Sequence, residues 1–100
     1  MNILLACYAG MSTSILMKKM KEYAESKNIP LTIKAIPISE LEDNYEGVDI
    51  ILLGPQVLFA VNDCKKIVKD KVPIMAIESL DYGLMKGDAV LEKAIKYLKK

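Results

Sequence analysis

Residues 7–14 read CYAGMSTS, a thiol at Cys7 followed by Gly10 and the hydroxyls of Ser12, Thr13 and Ser14. A cysteine that only fills a core needs none of this company. One that acts as a nucleophile or carries an anion needs nearly all of it. The thiolate is the reactive form, and a helix start close behind a cysteine lowers the thiol pKa below its free value of about 8.5. Unpaired backbone N–H groups and the helix dipole favour negative charge at the same place. A short glycine-containing turn can curl further N–H groups around an anion. A loop that steadies a thiolate in this way can also hold three phosphate oxygens on sulfur.

The second cysteine is a control on this reading. Cys64 falls in a helical pattern with Val57, Val61 and Val68 on the same apolar face, so it is expected to be core. Two cysteines make neither a disulfide framework nor a zinc motif. The chain has no histidine, and all 14 of its basic side chains are lysine, so it has no arginine. A histidine-dependent triad, a histidine-rich metal site and an arginine phosphate clamp are excluded within it, and no cofactor is expected.

The elements that must position Cys7 follow from periodicity. NILLA at 2–6 suits a buried strand, and Ser12 to Asn28 is helical, with Leu16, Met20, Tyr23 and Ala24 on one face and Asn28 as its stop. LTIKAI at 31–36 is a second strand, VDIILLG at 48–54 a third, and Pro73–Ile77 a fourth. SELEDNYEG holds a short helix at most, residues 56–69 form a helix, SLDYGLMKG at 79–87 is loop, and a last helix starts near Asp88. This βαβαβαβα order predicts one α/β domain over residues 1–100. Its sheet is parallel and four-stranded, with helices on both faces. Strand order cannot be read from the pattern; a flavodoxin-like order 2-1-3-4 is expected. Ligands of such sheets bind beyond the carboxyl ends of the strands, where Cys7 falls.

Composition narrows the function further. One hundred residues with 52% hydrophobic content and a net charge of +1 suit one soluble core. Charge so evenly mixed argues against a nucleic-acid partner. The lysines of KAIKYLKK complement a helix C-terminus. No apolar run approaches the roughly 18–20 residues of a membrane span. LLAC at 4–7 imitates a lipoprotein signal, but the charged start and the apolar stretch of about 7–15 residues are missing, so a cytoplasmic location is expected.

A thiolate in a phosphate-sized loop is similar to the site of low-molecular-weight tyrosine phosphatases and arsenate reductases, which use Cys-x5-Arg. Here Thr13 stands at the arginine position. Without the bidentate clamp on transition-state charge, hydrolysis should be slow. A carrier gains from that deficit, because its phosphocysteine must outlast the wait for an acceptor. A phosphatase-like or arsenate-reductase-like enzyme and an unreactive anion-binding regulatory module stay as alternatives. Thiol redox chemistry lacks a Cys-x-x-Cys.

CYAGMSTS resembles the Cys-x-x-Gly-Met-Ser-Thr-Ser loop of the enzyme IIB components of the bacterial sugar phosphotransferase system, lactose/cellobiose/diacetylchitobiose class. LLGPQ at 52–56 and ESLDYG at 78–83 are the second and third anchors of the resemblance, which covers essentially the whole chain. It implies a four-stranded parallel sheet of order 2-1-3-4. It also implies transfer of a phosphoryl group from a phosphohistidine on a IIA protein to the IIB cysteine, then to sugar at a membrane IIC permease. Such a domain would sit in the cytoplasm and meet the inner membrane face transiently through IIC.

Carried over, Cys7 would be the phosphorylated nucleophile. Tyr8, Ala9, Gly10, Met11, Ser12, Thr13 and Ser14 would form the phosphate loop, with Gln56 and Tyr82 near its rim. Tyr8 replaces the family's frequent serine and Glu78 a frequent aspartate. Transfer between proteins also needs an exposed apolar rim, for which Tyr8, Met11, Leu80, Tyr82, Leu84 and Met85 are candidates. Methionine suits such reused surfaces. The resemblance implies cellobiose, chitobiose, lactose or another β-glucoside as the sugar, with the choice made mostly by IIC.

Overall fold

A computed structural model describes residues 1–7 and 13–99, apart from the side chains of Cys7, Thr13 and residues 56–58. The strands are β1 (Asn2–Cys7), β2 (Thr32–Pro37), β3 (Ile50–Leu53) and β4 (Ile74–Ala76). The helices are α1 (Thr13–Ser26), α2 (Val61–Ile67), α3 (Ser79–Gly83) and α4 (Gly87–Leu98). Two 3-10 segments, Ile38–Asp43 and Pro55–Ala60, precede β3 and α2.

All strand pairings are parallel and the order is β2-β1-β3-β4, as expected. Register pairs Ile3 with Ile33 and Ile50, and Leu52 with Met75. Strands alternate their side chains between faces, so the two central strands feed two separate core layers. Ile3, Leu5, Ile50 and Leu52 pack with Leu16, Met20 and Ala24 of α1 and Val90, Leu91 and Ala94 of α4. Leu4, Ala6, Ile51 and Leu53 pack with Cys64 and Val68 near α2 and with Leu41 of the first 3-10 segment. Every residue of β3 is buried, which explains its unbroken apolar run IILL. On the first face, the Tyr23 hydroxyl donates to the Glu92 carboxylate and ties α1 to α4.

Three helices end in the same way. Asn28, Lys69 and Met85 have φ of 56°, 55° and 53°. The next N–H in each case reaches back to the carbonyl five residues earlier: Ile29 to Ala24 (2.8 Å), Asp70 to Lys65 (3.1 Å) and Lys86 to Asp81 (2.9 Å). These are Schellman caps with a non-glycine residue at the left-handed position. Asn28 is thus the helix stop its type suggests.

Two expectations are corrected. Residues 56–69 do not form one helix: Pro55 fixes φ and offers no N–H, and the chain winds tightly through Ala60 before α2 begins. The expected loop at 79–87 contains α3, held by tertiary contacts that local pattern does not carry. Tyr82 is buried in the α1/α4 layer, and Asp81 is paired with Lys93 of α4.

Candidate phosphoryl site at the sheet's carboxyl edge

Cys7 is the last residue of β1 and pairs in register with Pro37 at the end of β2. On its other side the chain leaves β3 at Gly54, whose N–H donates to the Ala6 carbonyl at 3.2 Å. One strand further on, the Ile77 N–H donates to the Leu53 carbonyl at 2.8 Å. The segments that begin CYAGM, GPQ and ESLDYG therefore leave neighbouring strands at one edge of the sheet. From β1 the chain enters α1 on one face, and from β3 it continues to α2 on the other. That divergence is the topological switch point of an open parallel sheet, and Cys7 ends the strand beside the resulting crevice.

α1 begins at Thr13 and runs back along the sheet, so its positive end lies at the same edge as Cys7. Its first turn contains no acidic residue. The field of its 14 residues is thus uncompensated by carboxylates in its opening turn, which suits an anion there. Ser14 is exposed in that turn. Tyr8, Ala9, Gly10, Met11 and Ser12 lie outside the described residues. Gln56 belongs to the 3-10 segment that starts immediately beyond β3.

Tyr82, expected near the loop rim, is 6% exposed and sits in the core cluster, so it is not one of the rim's exposed apolar side chains. The cause is helical phase. Within α3 and its cap, residues 80 and 84 are four apart and share the outer face, which turns Tyr82 inward. Leu80 is 66% and Leu84 59% exposed, while Met85 is half-buried against the core. Sequence reasoning missed two further exposed apolar side chains at this edge, Ile15 in the first turn of α1 and Phe59 in the segment after β3. Their signal was weak, since each falls in an apolar stretch where a core role is the simpler reading.

Cys64 is fully buried and free, and burial pushes its thiol pKa up, with the Asp63 charge adding to the shift. It is core, as its spacing predicts. Among the described residues no group of histidine, cysteine and acidic side chains could hold a metal ion, and no helix is long and apolar enough to cross a membrane.

Comparison with known proteins agrees with this geometry. Residues 2–93 match the family described as PTS system, Lactose/Cellobiose specific IIB subunit. The chain is 34% identical over 98 residues to the oligo-beta-mannoside-specific EIIB component of Bacillus subtilis, covering 97% of this chain and 95% of that one. It is 40% identical over 98 residues to the cellobiose-specific EIIB component of Lactococcus lactis, covering 92% and 91%. The solution structure of a cellobiose-specific IIB protein from Borrelia burgdorferi superposes with a TM-score of 0.81 at 45% identity, over 99% of this chain and 92% of that one. The lactose-specific IIB domain from Streptococcus pneumoniae shares the fold, with a TM-score of 0.84 at 19% identity over 96% and 95%. With its sheet order, its switch-point cysteine and these matches in agreement, the chain belongs to the lactose/cellobiose-specific IIB subunits, phosphotransferases of the sugar phosphotransferase system.

Proposed function

We propose that Cys7 carries the phosphoryl group between a IIA phosphohistidine and a sugar bound to a IIC permease. The observation that supports this most directly is the position of Cys7, at the carboxyl end of a central strand, beside the switch point and shortly before the start of α1 in sequence. In the first step the Cys7 thiolate attacks phosphorus, the P–S bond forms, and the P–N bond to the donor imidazole breaks. In the second step a sugar hydroxyl attacks phosphorus, a P–O bond forms as P–S breaks, and the thiolate is regenerated. The hydroxyl proton leaves to a base or to solvent. Neither step consumes a metal or a redox cofactor.

The loop from Tyr8 to Ser14 would bind the phosphoryl oxygens through backbone N–H groups, helped by the hydroxyls of Ser12, Thr13 and Ser14. Gln56 would border the same crevice from beyond β3. The lack of arginine suits a carrier, because the charge that builds on phosphorus during attack by water has no bidentate clamp. Exposed Ile15, Phe59, Leu80 and Leu84 supply apolar surface for docking proteins at this edge. Such a domain acts at the cytoplasmic face of the membrane. Relatives named for cellobiose, galactose and oligo-β-mannoside point to a β-linked saccharide or a close analogue as the final acceptor.

The reading is tested by offering the protein two phosphoryl sources, an aryl phosphate and a phosphorylated IIA protein. A carrier accepts phosphoryl from the IIA protein and leaves the aryl phosphate intact. Sustained turnover of the aryl phosphate by the protein alone would replace this reading with a phosphatase.

A further inference from the structure

α3 is a five-residue helix at the sheet's carboxyl edge, just past β4, and it holds Leu80 in the open, with Leu84 exposed at its cap. Five residues are far below the length at which a helix holds itself together in water. No side chain caps its N-terminus, and its C-terminus closes through Met85 at a φ of 53°, which is unfavourable for a side chain of that kind. Its fixed position must come from tertiary contacts. Buried Tyr82 provides one.

The other is ionic. Lys93 of α4 places its Nζ 2.6 Å from Asp81 Oδ2 and 2.9 Å from Glu78 Oε1, so one ammonium grips both the cap residue and the body of α3. Asp81 is the buried charged residue among those described, at 6% exposure. An open cleft of about 130 Å³ lies between β4, α3 and α4, lined by Met75, Ile77 and Val90 and by Glu78, Asp81 and Lys93 themselves. Apolar packing therefore does not fix α3 on that side, and the Lys93 bridge spans the gap. Without its cation, Asp81 would be a buried carboxylate with no charge partner and would be driven out toward water, carrying α3 with it.

We infer that Lys93 is a positioning residue for phosphoryl transfer: it locks α3 so that Leu80 and Leu84 present a fixed apolar surface to the protein that delivers the phosphoryl group. The inference rests on the carrier reading above. Lys93 touches neither phosphorus nor Cys7 in this account, so its loss should weaken docking and leave the chemical step intact.

The test is initial-rate kinetics of Cys7 phosphorylation with varied concentrations of a phosphorylated IIA protein, for wild type, Lys93→Met, Lys93→Arg and Asp81→Asn. Lys93→Met should raise KM for the donor roughly tenfold with kcat within about twofold of wild type. Lys93→Arg, which keeps the cation, should restore KM. Asp81→Asn removes the buried charge with little change in volume. It serves as the second reading if Lys93→Met lowers expression or melting temperature, and it should raise KM in the same direction. Unchanged KM in both folded variants would overturn the inference, as would a fall in kcat alone. Failure of the wild-type protein to become labelled at Cys7 would instead overturn the carrier reading, so the two failures are distinguishable.

Discussion

The backbone of Gly87 at the start of α4 lies directly against the backbone of Lys19 in α1: a Cβ on Gly87 would sit 2.6 Å from the Lys19 carbonyl carbon. The same atom would lie 2.6 Å from the Met20 nitrogen, so neither neighbour is a flexible side chain that could turn aside. This contact lets α4 cover the helix whose N-terminus faces the switch point. Glycine is required here for space, since no positive φ is involved.

Gly87→Ala should therefore push α1 and α4 apart. The expected loss is about 1–3 kcal/mol, the usual range for forcing extra atoms into a packed contact. Urea unfolding checks it: the midpoint should fall while the slope stays that of wild type.

Lys69 offers the opposite case. It is exposed, caps α2 in the left-handed region, and gains nothing from its side chain that glycine would forfeit in the core. The left-handed region costs an L-residue about 1–2 kcal/mol. Glycine gives back about 0.5–1 kcal/mol of that through unfolded-state entropy. Lys69→Gly should raise stability by about 0.5–1 kcal/mol, read as a higher unfolding midpoint. Met85→Gly should bring no such gain, because Met85 packs against the α1/α4 layer and that contact would be lost.

Cys64 should be silent toward thiol reagents in the native protein and react only on unfolding. Its folded thiol holds its proton above about pH 8.5, where an unfolded cysteine ionises. The sign follows. Its contribution to stability is fully present below about pH 8.5 and is lost as pH rises through the higher folded value. Cys64→Ala should flatten that alkaline decline, cost about 1–2 kcal/mol for the vacated volume, and leave phosphoryl transfer intact. Reagent titration with and without denaturant, and melting curves from pH 7 to 10, check each part.

Much of this was legible in the sequence because alternating strands and helices leave different periods. Leu16, Met20 and Ala24 mark one face of α1, and IILL marks a strand covered on both sides. CYAGMSTS located the candidate site because its residue types make sense only together. α3 was not legible. Its helicity depends on Lys93 reaching back to Glu78 and Asp81 from another helix, and on Tyr82 finding a core pocket, and neither relation has a local signature. A loop there gave no reason to expect Tyr82 buried, whereas the helical turn sends it into the core. Phe59 was hidden for a related reason: in an apolar stretch, only the winding of the 3-10 segment decides which side chain faces water.

Everything proposed for the site depends on Cys7 bearing the phosphoryl group. The most direct measurement is mass mapping of peptides after incubation with a phosphorylated IIA protein, at a pH that preserves thiophosphate esters. One phosphoryl group is expected on the peptide containing Cys7, absent in Cys7→Ser and retained in Cys64→Ser. Label that persists on another residue in Cys7→Ser, or a wild-type protein that takes up none, would contradict it.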